Sequence, residues 1–323
     1  MISRRQLMRT AAVGLPAAVL GGTVSQMSPA QAQSITAEGE CAPGSGKLVQ
    51  WGPASAPAVP TAGLSGVSAV SIGSCANLYN LMLKDGRVTT WGNFNLNDTN
   101  QQRLVRVPVA ATRDVTAVAT AGAYSFALRD GGVIVWGGTH DSQLALPEEA
   151  KSGVTAITGA NGGNSYGLFL KDGGVIQWHG YVAVPDEAKE GIVAVSARRH
   201  ALALREDGRV ITWGPDLPAN LTVPAEAQSG VTAVSAGAGF SLALKNGAVL
   251  AWGDNKYGQL EVPYEAQADV VAISAGILAG MALTASGKIV TWAYDFYGQL
   301  DVPAEANCGA SAIACEYVCM VLL

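Results

Sequence analysis

Seven tryptophans, Trp51, Trp91, Trp136, Trp178, Trp213, Trp252 and Trp292, follow one another at intervals of 40, 45, 42, 35, 39 and 40 residues. Each closes a short apolar and β-branched run such as Ala248-Val249-Leu250-Ala251-Trp252, and five of the seven are followed directly by glycine. So even a spacing marks one structural unit of about 40 residues that cannot bury its apolar faces alone and must pack on its neighbours. The unit is clearest from Val231 onward. Residues 231–236, 240–244 and 248–252 read as three strands. Between the second and third lies Lys245-Asn246-Gly247, a tight hairpin signal because Asn-Gly accepts positive φ. The other copies carry Asp85-Gly86, Asp130-Gly131, Asp172-Gly173, Asp207-Gly208 and Ser286-Gly287 there. Helical periodicity appears nowhere at length, so the class is all-β.

Six complete units begin near Val67, Val115, Val154, Ile192, Val231 and Val270. A seventh starts at Ala310 and stops at Leu323, where a hairpin is due. The missing piece sits at the other end: Ser45-Gly46-Lys47-Leu48-Val49-Gln50-Trp51 aligns with Ser286-Gly287-Lys288-Ile289-Val290-Thr291-Trp292. Closing a ring removes the exposed sheet edges that an open array would leave. The expectation is a seven-bladed β-propeller over residues 47–323, closed by pairing the N- and C-terminal strands.

The pattern V-x-A-V-x-A-G, then S-x-A-L-K-x-G, then W-G-D-N-x-Y-G-Q-L-x-V-P-x-E-A-Q-S-G resembles the repeat of the regulator of chromosome condensation superfamily. The phrase Val223-Pro224-Ala225-Glu226-Ala227-Gln228-Ser229-Gly230-Val231 is especially similar to the exported seven-bladed β-lactamase inhibitor propellers of bacteria. The likeness runs from about Lys47 to Leu323. It implies a protein partner, a serine β-lactamase or a related acyl-enzyme such as a penicillin-binding protein, whose active-site mouth one face of the ring would cover without covalent chemistry. One register departs from that inhibitor pattern. Where its repeat carries an aromatic anchor six residues before the hairpin lysine, this chain has Leu78, Ala123, Ser165, Arg199, Gly239, Ala279 and Val318. Fold does not fix function, so a docking module for another exported or cell-wall protein, or a carbohydrate-binding propeller, stands as the alternative.

Residues 1–32 read as an export signal of the twin-arginine type: Arg4-Arg5 near the start, an apolar run from Ala11 to Leu20, and Ala30-Gln31-Ala32 as an A-x-A cleavage site. An ordinary secretory signal that happens to hold two arginines is the bland alternative. Residues 33–46 read as a linker, and a secreted or periplasmic monomer is expected. No later stretch approaches the roughly 18 uncharged residues of a spanning helix, so no membrane insertion is expected. The chain has a net charge of -5, and the only charges in residues 1–32 are Arg4, Arg5 and Arg9, so the rest is more acidic still. Such a body repels phosphates, which argues against nucleic acid.

In each unit the first and third connections emerge on one face and the hairpins on the other. The hairpins are short and uniform, whereas the other connections vary, as a recognition surface on a rigid scaffold should. The third connections of this variable face contribute Phe94, His140, Tyr181, Asp216, Asp254, Asn255, Tyr257, Tyr294, Asp295, Phe296 and Tyr297. The first connections add Arg198, Arg199 and Leu278. Aromatics beside carboxylates suit the core of an interface. The connection from Trp91 to Val115 is unusually long, and Asn93 to Asp98 could form a finger. Tyr79, Tyr124, Tyr166, His200 and Phe240 share one register that reads as packing near the channel, and Gly258-Gln259-Leu260 and Gly298-Gln299-Leu300 read as loop-fixing turns.

Chemistry is sparse. Gly163-Asn164-Ser165-Tyr166-Gly167 matches G-x-S-x-G but enters a strand instead of a strand-to-helix elbow. His140, His179 and His200 carry no metal spacing. No catalysis, cofactor or metal is expected. Five cysteines remain in a chain bound for an oxidising compartment. On the ring, Cys41 and Cys308 would staple the closing seam, and Cys75 could reach Cys315 or Cys319 across the junction.

Overall fold

Each tryptophan-ended unit folds into a three-stranded antiparallel sheet whose inner strand alternates small and branched residues, as close packing around a central axis demands. The computed structural model describes residues 45–73, 79–160, 165–180, 182–215, 217–307 and 309–323, together with two short strands, Val19–Leu20 and Ser25–Gln26. From inner to outer strand, blade 1 comprises Val67–Ile72, Asn80–Lys84 and Arg87–Trp91. Blade 2 comprises Val115–Ala121, Tyr124–Arg129 and Gly132–Gly137, and blade 3 Val154–Ala160, Tyr166–Lys171 and Gly174–Trp178. Blade 4 comprises Ile192–Ala197, Ala201–Arg205 and Val210–Trp213, and blade 5 Val231–Ala236, Phe240–Lys245 and Ala248–Gly253. Blade 6 comprises Val270–Ala275, Ala279–Thr284 and Ile289–Ala293.

Blade 7 is assembled from both ends of the propeller. Ala312–Cys315 and Cys319–Leu322 pair antiparallel, and Leu48–Trp51 adds as the outer strand with Leu322 opposite Leu48 and Cys319 opposite Trp51. The seam is completed by Gly46 N–H donating to the Leu323 carbonyl at 2.7 Å and Leu323 N–H donating to the Lys47 carbonyl at 2.9 Å. The ring is closed, because each inner strand touches the next and that of blade 7 returns to that of blade 1. Apolar burial follows the same circle: each hydrophobic cluster draws on two neighbouring blades, as where Met281 of blade 6 packs with Ile313 and Val49 of blade 7. Blades are therefore held by their neighbours, the one-dimensional logic of repeat stability bent into a circle.

Four repeated devices explain the sequence pattern. The Pro-x-x-Ala segments form single 3-10 turns started by proline, and their alanines, among them Ala150, Ala188, Ala227 and Ala266, are fully buried. The basic residue ending the middle strand donates to a carbonyl of that turn, as Lys171 Nζ does to Glu149 at 3.1 Å and Lys245 Nζ to Glu226 at 2.7 Å. Inner strands are stitched by hydroxyls: Ser196, Ser235 and Ser274 accept from the backbone N–H of Ala236, Ala275 and Cys315 of the next blade, at 2.9 to 3.0 Å. The hairpin glycines do double duty. Gly208, at φ 80°, turns the chain and accepts from Val231 N–H of the next blade at 3.1 Å; a Cβ there would lie 2.6 Å from Gly230 N.

The long connection of blade 1 departs from an all-β reading by one short helix, Thr99–Val105, N-capped by the Asp98 carboxylate, which accepts from Asn100 N–H at 2.8 Å. Among the described residues no helix is long and apolar enough to cross a membrane. The export signal and the linker fall outside the described residues, apart from Ser45, Gly46 and the two short strands. Val19–Leu20 runs parallel to Val195–Ser196 of blade 4, and Ser25–Gln26 pairs with Ala312–Ile313 of blade 7.

The cysteines correct the expectation. Cys315 and Cys319 form a disulfide with each other, so neither is open to Cys75. They are directly opposite in the antiparallel pair of blade 7, with Cα atoms 4.1 Å apart, and register brings them together where ring adjacency had suggested a longer reach. Cys41, Cys75 and Cys308 lie outside the described residues.

Candidate functional site

The third connections of blades 5 and 6 repeat one loop design. In each, an Asx side chain accepts from the leucine five residues on: Asn255 Oδ1 from Leu260 N–H at 2.9 Å, and Asp295 Oδ1 from Leu300 N–H at 3.2 Å. A buried glutamine side chain accepts from the tyrosine two residues before it, Gln259 from Tyr257 and Gln299 from Tyr297, both at 2.8 Å. The same glutamines present their backbone carbonyls to the indole N–H of the next blade's tryptophan, Trp292 and Trp51, both at 2.9 Å. The Gly-Gln-Leu turns therefore fix loop geometry and lock each loop to its neighbour.

What the loops hold up is a continuous aromatic ridge. Ring centroids run from Tyr257 to Tyr294 at 5.2 Å, to Phe296 at 5.9 Å, to Tyr297 at 4.6 Å and to Tyr317 at 5.3 Å, crossing blades 5, 6 and 7. Phe296 is 60% exposed and Tyr294 42%, at the middle of the ridge, while Tyr257, Tyr297 and Tyr317 are half-buried. Lys256 lies over the Tyr257 ring at 5.2 Å, and the Asp254 carboxylate accepts from Lys256 N–H at 3.0 Å. Ala293 begins the blade 6 loop at φ 86°, where blades 2, 5 and 7 have a glycine of positive φ.

Tyr257, Tyr294, Asp295, Phe296 and Tyr297, with Asp254 and Asn255, thus gather on one sector of the ring. Leu278 lies beside them, half-buried, its carbonyl accepting from Tyr294 N–H at 3.1 Å. Other expected residues lie elsewhere: Phe94 packs against the core between blades 1 and 2, and His140 is exposed in the blade 2 loop. Tyr181 and Asp216 lie outside the described residues. Tyr317, the last ring of the ridge, was not among the residues the sequence singled out in the first connections; its signal was an aromatic between two cysteines. The tip of the blade 1 finger is Leu96, 59% exposed, held by Gln102 Nε2 donating to its carbonyl at 2.6 Å.

Arg198 and Arg199 part company. Arg199 is exposed and has no ion-pair partner among the described residues. Arg198 is buried and ion-paired with Glu316, itself fully enclosed. The two follow the inner strands of blades 4 and 7, nearly opposite in the ring, so the pair bridges the mouth of the channel. Its burial takes the Arg198 charge off the open surface, a correction to its expected place among exposed contacts. Burial pushes the Glu316 carboxyl up to about 7, against the opposing pull of the Arg198 guanidinium.

Tyr79, Tyr124, Tyr166, His200 and Phe240 are all buried, as packing requires. His200 Nε2 lies 2.7 Å from Ser241 Oγ. Burial, and then the charge of Arg198, push its imidazole down to about 4. Ser241 is fully buried and, among the described residues, His200 Nδ1 has no hydrogen-bond partner, so no described carboxylate orients the ring as a Ser-His relay would require. Ser165 and Tyr166 lead into the middle strand of blade 3; Gly163 and Asn164 lie outside the described residues. Among the described residues no three His, Cys, Asp or Glu side chains gather to hold a metal.

Architecture and loops together define a seven-bladed β-propeller of repeated three-stranded blades. The profile of the regulator of chromosome condensation (RCC1) repeat matches residues 231–259, which span blade 5 and its loop. Among solved structures the chain is similar to Prp20p of Saccharomyces cerevisiae, described with its binding to Gsp1p and histones, at 13% identity over 92% of this chain and 95% of that one, with a TM-score of 0.62. It is similar to yeast RCC1 (Prp20) bound to Kap60, at 12% identity over 98% and 94%, TM-score 0.59. Human WBSCR16 matches at 17% identity over 85% and 98%, TM-score 0.55. At such identities the likeness is one of fold. A sequence search of curated proteins finds no match.

Proposed function

We propose that the protein is a non-catalytic docking propeller that binds another protein through the aromatic ridge on blades 5 to 7. The observation that carries this reading is the run of five rings whose centre stands exposed on loops pinned by their own side chains. Rigid rings lose little entropy on burial, and preorganised loops reduce the cost of association. A protein suits the ridge better than a sugar: one carboxylate or amide oxygen each of Asp254, Asn255 and Asp295 is engaged by loop backbone, which leaves fewer polar groups beside the rings for hydroxyls. Two of the similar structures, yeast Prp20p with Gsp1p and histones and yeast RCC1 with Kap60, are of propellers that bind proteins.

The finer reading is an exported protein whose partner is a serine β-lactamase or a penicillin-binding protein, with the ridge laid over the active-site mouth. It rests on the N-terminal signal, on the repeat phrase from Val223 to Val231 and on the acidic rim of Asp254 and Asp295, which complements cationic groups that hold substrate carboxylates. Titrating the purified protein into a panel of serine β-lactamases and penicillin-binding proteins, with hydrolysis or acylation followed directly, tests it. Saturable inhibition that Phe296→Ala weakens roughly thirtyfold, an aromatic hot spot of about 2 kcal/mol, is expected. Inhibition indifferent to Phe296 and Tyr294 would remove the ridge from the mechanism. Absence of inhibition across the panel removes the finer reading. Capture of the same proteins from culture supernatant by wild-type and Tyr294→Ala/Phe296→Ala baits would then remove the coarser one.

A further inference from the structure

Blade 4 departs from the loop design of blades 5 and 6. Its third connection, Gly214 to Gly230, has no Gly-Gln-Leu turn and runs instead through Pro215, Leu217, Pro218 and a short 3-10 turn, Ala219–Leu221. In blades 1, 2, 5 and 6 that connection offers a carbonyl to the next tryptophan: Leu104 to Trp136 at 3.1 Å, Ala145 to Trp178 at 2.8 Å, and the two glutamines already described. The buried indole N–H of Trp252 in blade 5 has no partner among the described residues, as is also true of Trp91 in blade 1. Beside this connection lies a cavity of about 280 Å³ between blades 4 and 5. Its lining includes Pro215, Leu217, Pro218 and Leu221 on the apolar side and Arg199 and His200 on the other.

The two polar residues are particular to this blade. Blades 2 and 5 carry Ala123-Tyr124 and Gly239-Phe240 at the same register. Arg199 brings a guanidinium with no ion pair among the described residues, and His200, 2% exposed, brings a ring nitrogen, Nδ1, with no hydrogen-bond partner. Buried polar atoms are seldom left unsatisfied without a reason. A cavity of this size sits just below the usual range of ligand pockets, which begins at about 300 Å³, and so suits a small molecule or one terminal residue.

We propose that this pocket binds a carboxylate attached to a short branched apolar body, with the carboxylate on Arg199, a further hydrogen bond to His200, and the body against Pro215, Leu217, Pro218 and Leu221. Free branched-chain acids and the C-terminal leucine of a peptide share that chemistry. The pocket lining holds none of the ridge's rings, although it includes Gly239, whose carbonyl accepts from Asp254 N–H at 2.8 Å, and this assignment does not depend on the docking reading.

The chain has only three histidines, so ring resonances of the full-length protein resolve in NMR, and His140→Gln with His179→Gln leaves the His200 signal alone. The probes are 4-methylpentanoate, its uncharged amide, and the peptide acetyl-Ala-Ala-Leu as free acid. Saturable movement of the His200 resonance by the acid, with a Kd of about 1 mM as befits so small a ligand, is expected, and at least about tenfold weaker binding of the amide follows from the role of Arg199. Arg199→Ala, an exposed position that spares the fold, should weaken the acid by a similar factor, and Leu217→Trp should block the cavity. Tighter binding of the peptide assigns a C-terminal residue as the natural occupant; tighter binding of the free acid assigns a small metabolite; either result supports the site. No movement of the His200 signal with the acid or the peptide, or equal binding of acid and amide, overturns it.

Discussion

Glu316 and Arg198 give the sharpest quantitative expectation. Removing one member of a buried ion pair leaves the other charge uncompensated, at about 3–5 kcal/mol, but the two removals are not equivalent. Glu316→Leu strands a guanidinium that cannot lose its proton. Arg198→Leu strands a carboxyl that burial already raises against the pull of the guanidinium; with that pull gone it rises further, takes a proton and leaves only an under-bonded acid, a cost of about 1–3 kcal/mol. The wild-type pair also has a pH signature of definite sign. Because the folded carboxyl binds its proton more tightly than the ordinary value of 4.5, its contribution to stability is fully present below about pH 4.5 and declines as pH rises through about 7, by up to about 1.4 kcal/mol per pH unit. Urea unfolding followed by tryptophan fluorescence at pH 5, 6, 7 and 8 reads both effects, and subtracting the Glu316→Gln curve removes the titration of surface carboxylates. At pH 8, where the wild-type carboxyl is mostly ionised, Glu316→Leu should unfold at markedly lower urea than Arg198→Leu, the gap narrowing by pH 5, where the wild-type carboxyl is itself protonated. Equal losses at every pH, or a wild-type decline that survives in Glu316→Gln, would refute the reasoning.

Ala293 holds a φ of 86°, so Ala293→Gly should raise stability by a net 0.5–1 kcal/mol, roughly the relief of a left-handed alanine less the added freedom of the unfolded chain, seen as a higher urea midpoint with partner binding unchanged. Gly208 and Gly247 have similar φ, 80° and 74°, but a Cβ would lie 2.6 Å from the neighbouring blade's backbone at the first and 3.2 Å at the second; Gly208→Ala should therefore cost more than Gly247→Ala, both exceeding about 1 kcal/mol, and equal costs would deny that blade contact matters. The disulfide between Cys315 and Cys319 closes a loop separated by only 4 residues, so Cys315→Ser/Cys319→Ser should lower stability by about 2 kcal/mol in the chain-entropy relation, and mass mapping of the C-terminal peptide should show it lacking two thiol hydrogens.

The ring was legible because it is written in repeated local signals: a tryptophan at each outer strand, Asp-Gly or Asn-Gly at the hairpins, proline and alanine at the turns. The seam was legible because Ser45–Trp51 matches Ser286–Trp292 and no other unit lacked that strand. The aromatic loops of blades 5 and 6 were found for the same reason. What escaped were contacts between residues that share no local motif. Arg198 and Glu316 meet from nearly opposite blades, and the available hint was a carboxylate stranded in the apolar run Ala312 to Leu322, which had to find a countercharge. The cysteine pairing failed because ring adjacency was weighed while strand register, which sets residue against residue, was not. The cavity beside His200 is lined by a connection that lacks the Gly-Gln-Leu turn of blades 5 and 6, and an absent motif is harder to notice than a present one.

Leu48–Trp51 is tied to its sheet by hydrogen bonds and side-chain packing, with no hairpin joining it to Cys319–Leu322. Within the seven blades it is the one strand that can be withdrawn and replaced without unravelling a connection. Concentrated samples held near the unfolding midpoint are then prone to reciprocal exchange of this strand between molecules, giving dimers that preserve every native contact. Tethering position 46 to position 323 through a designed peptide link would forbid that exchange.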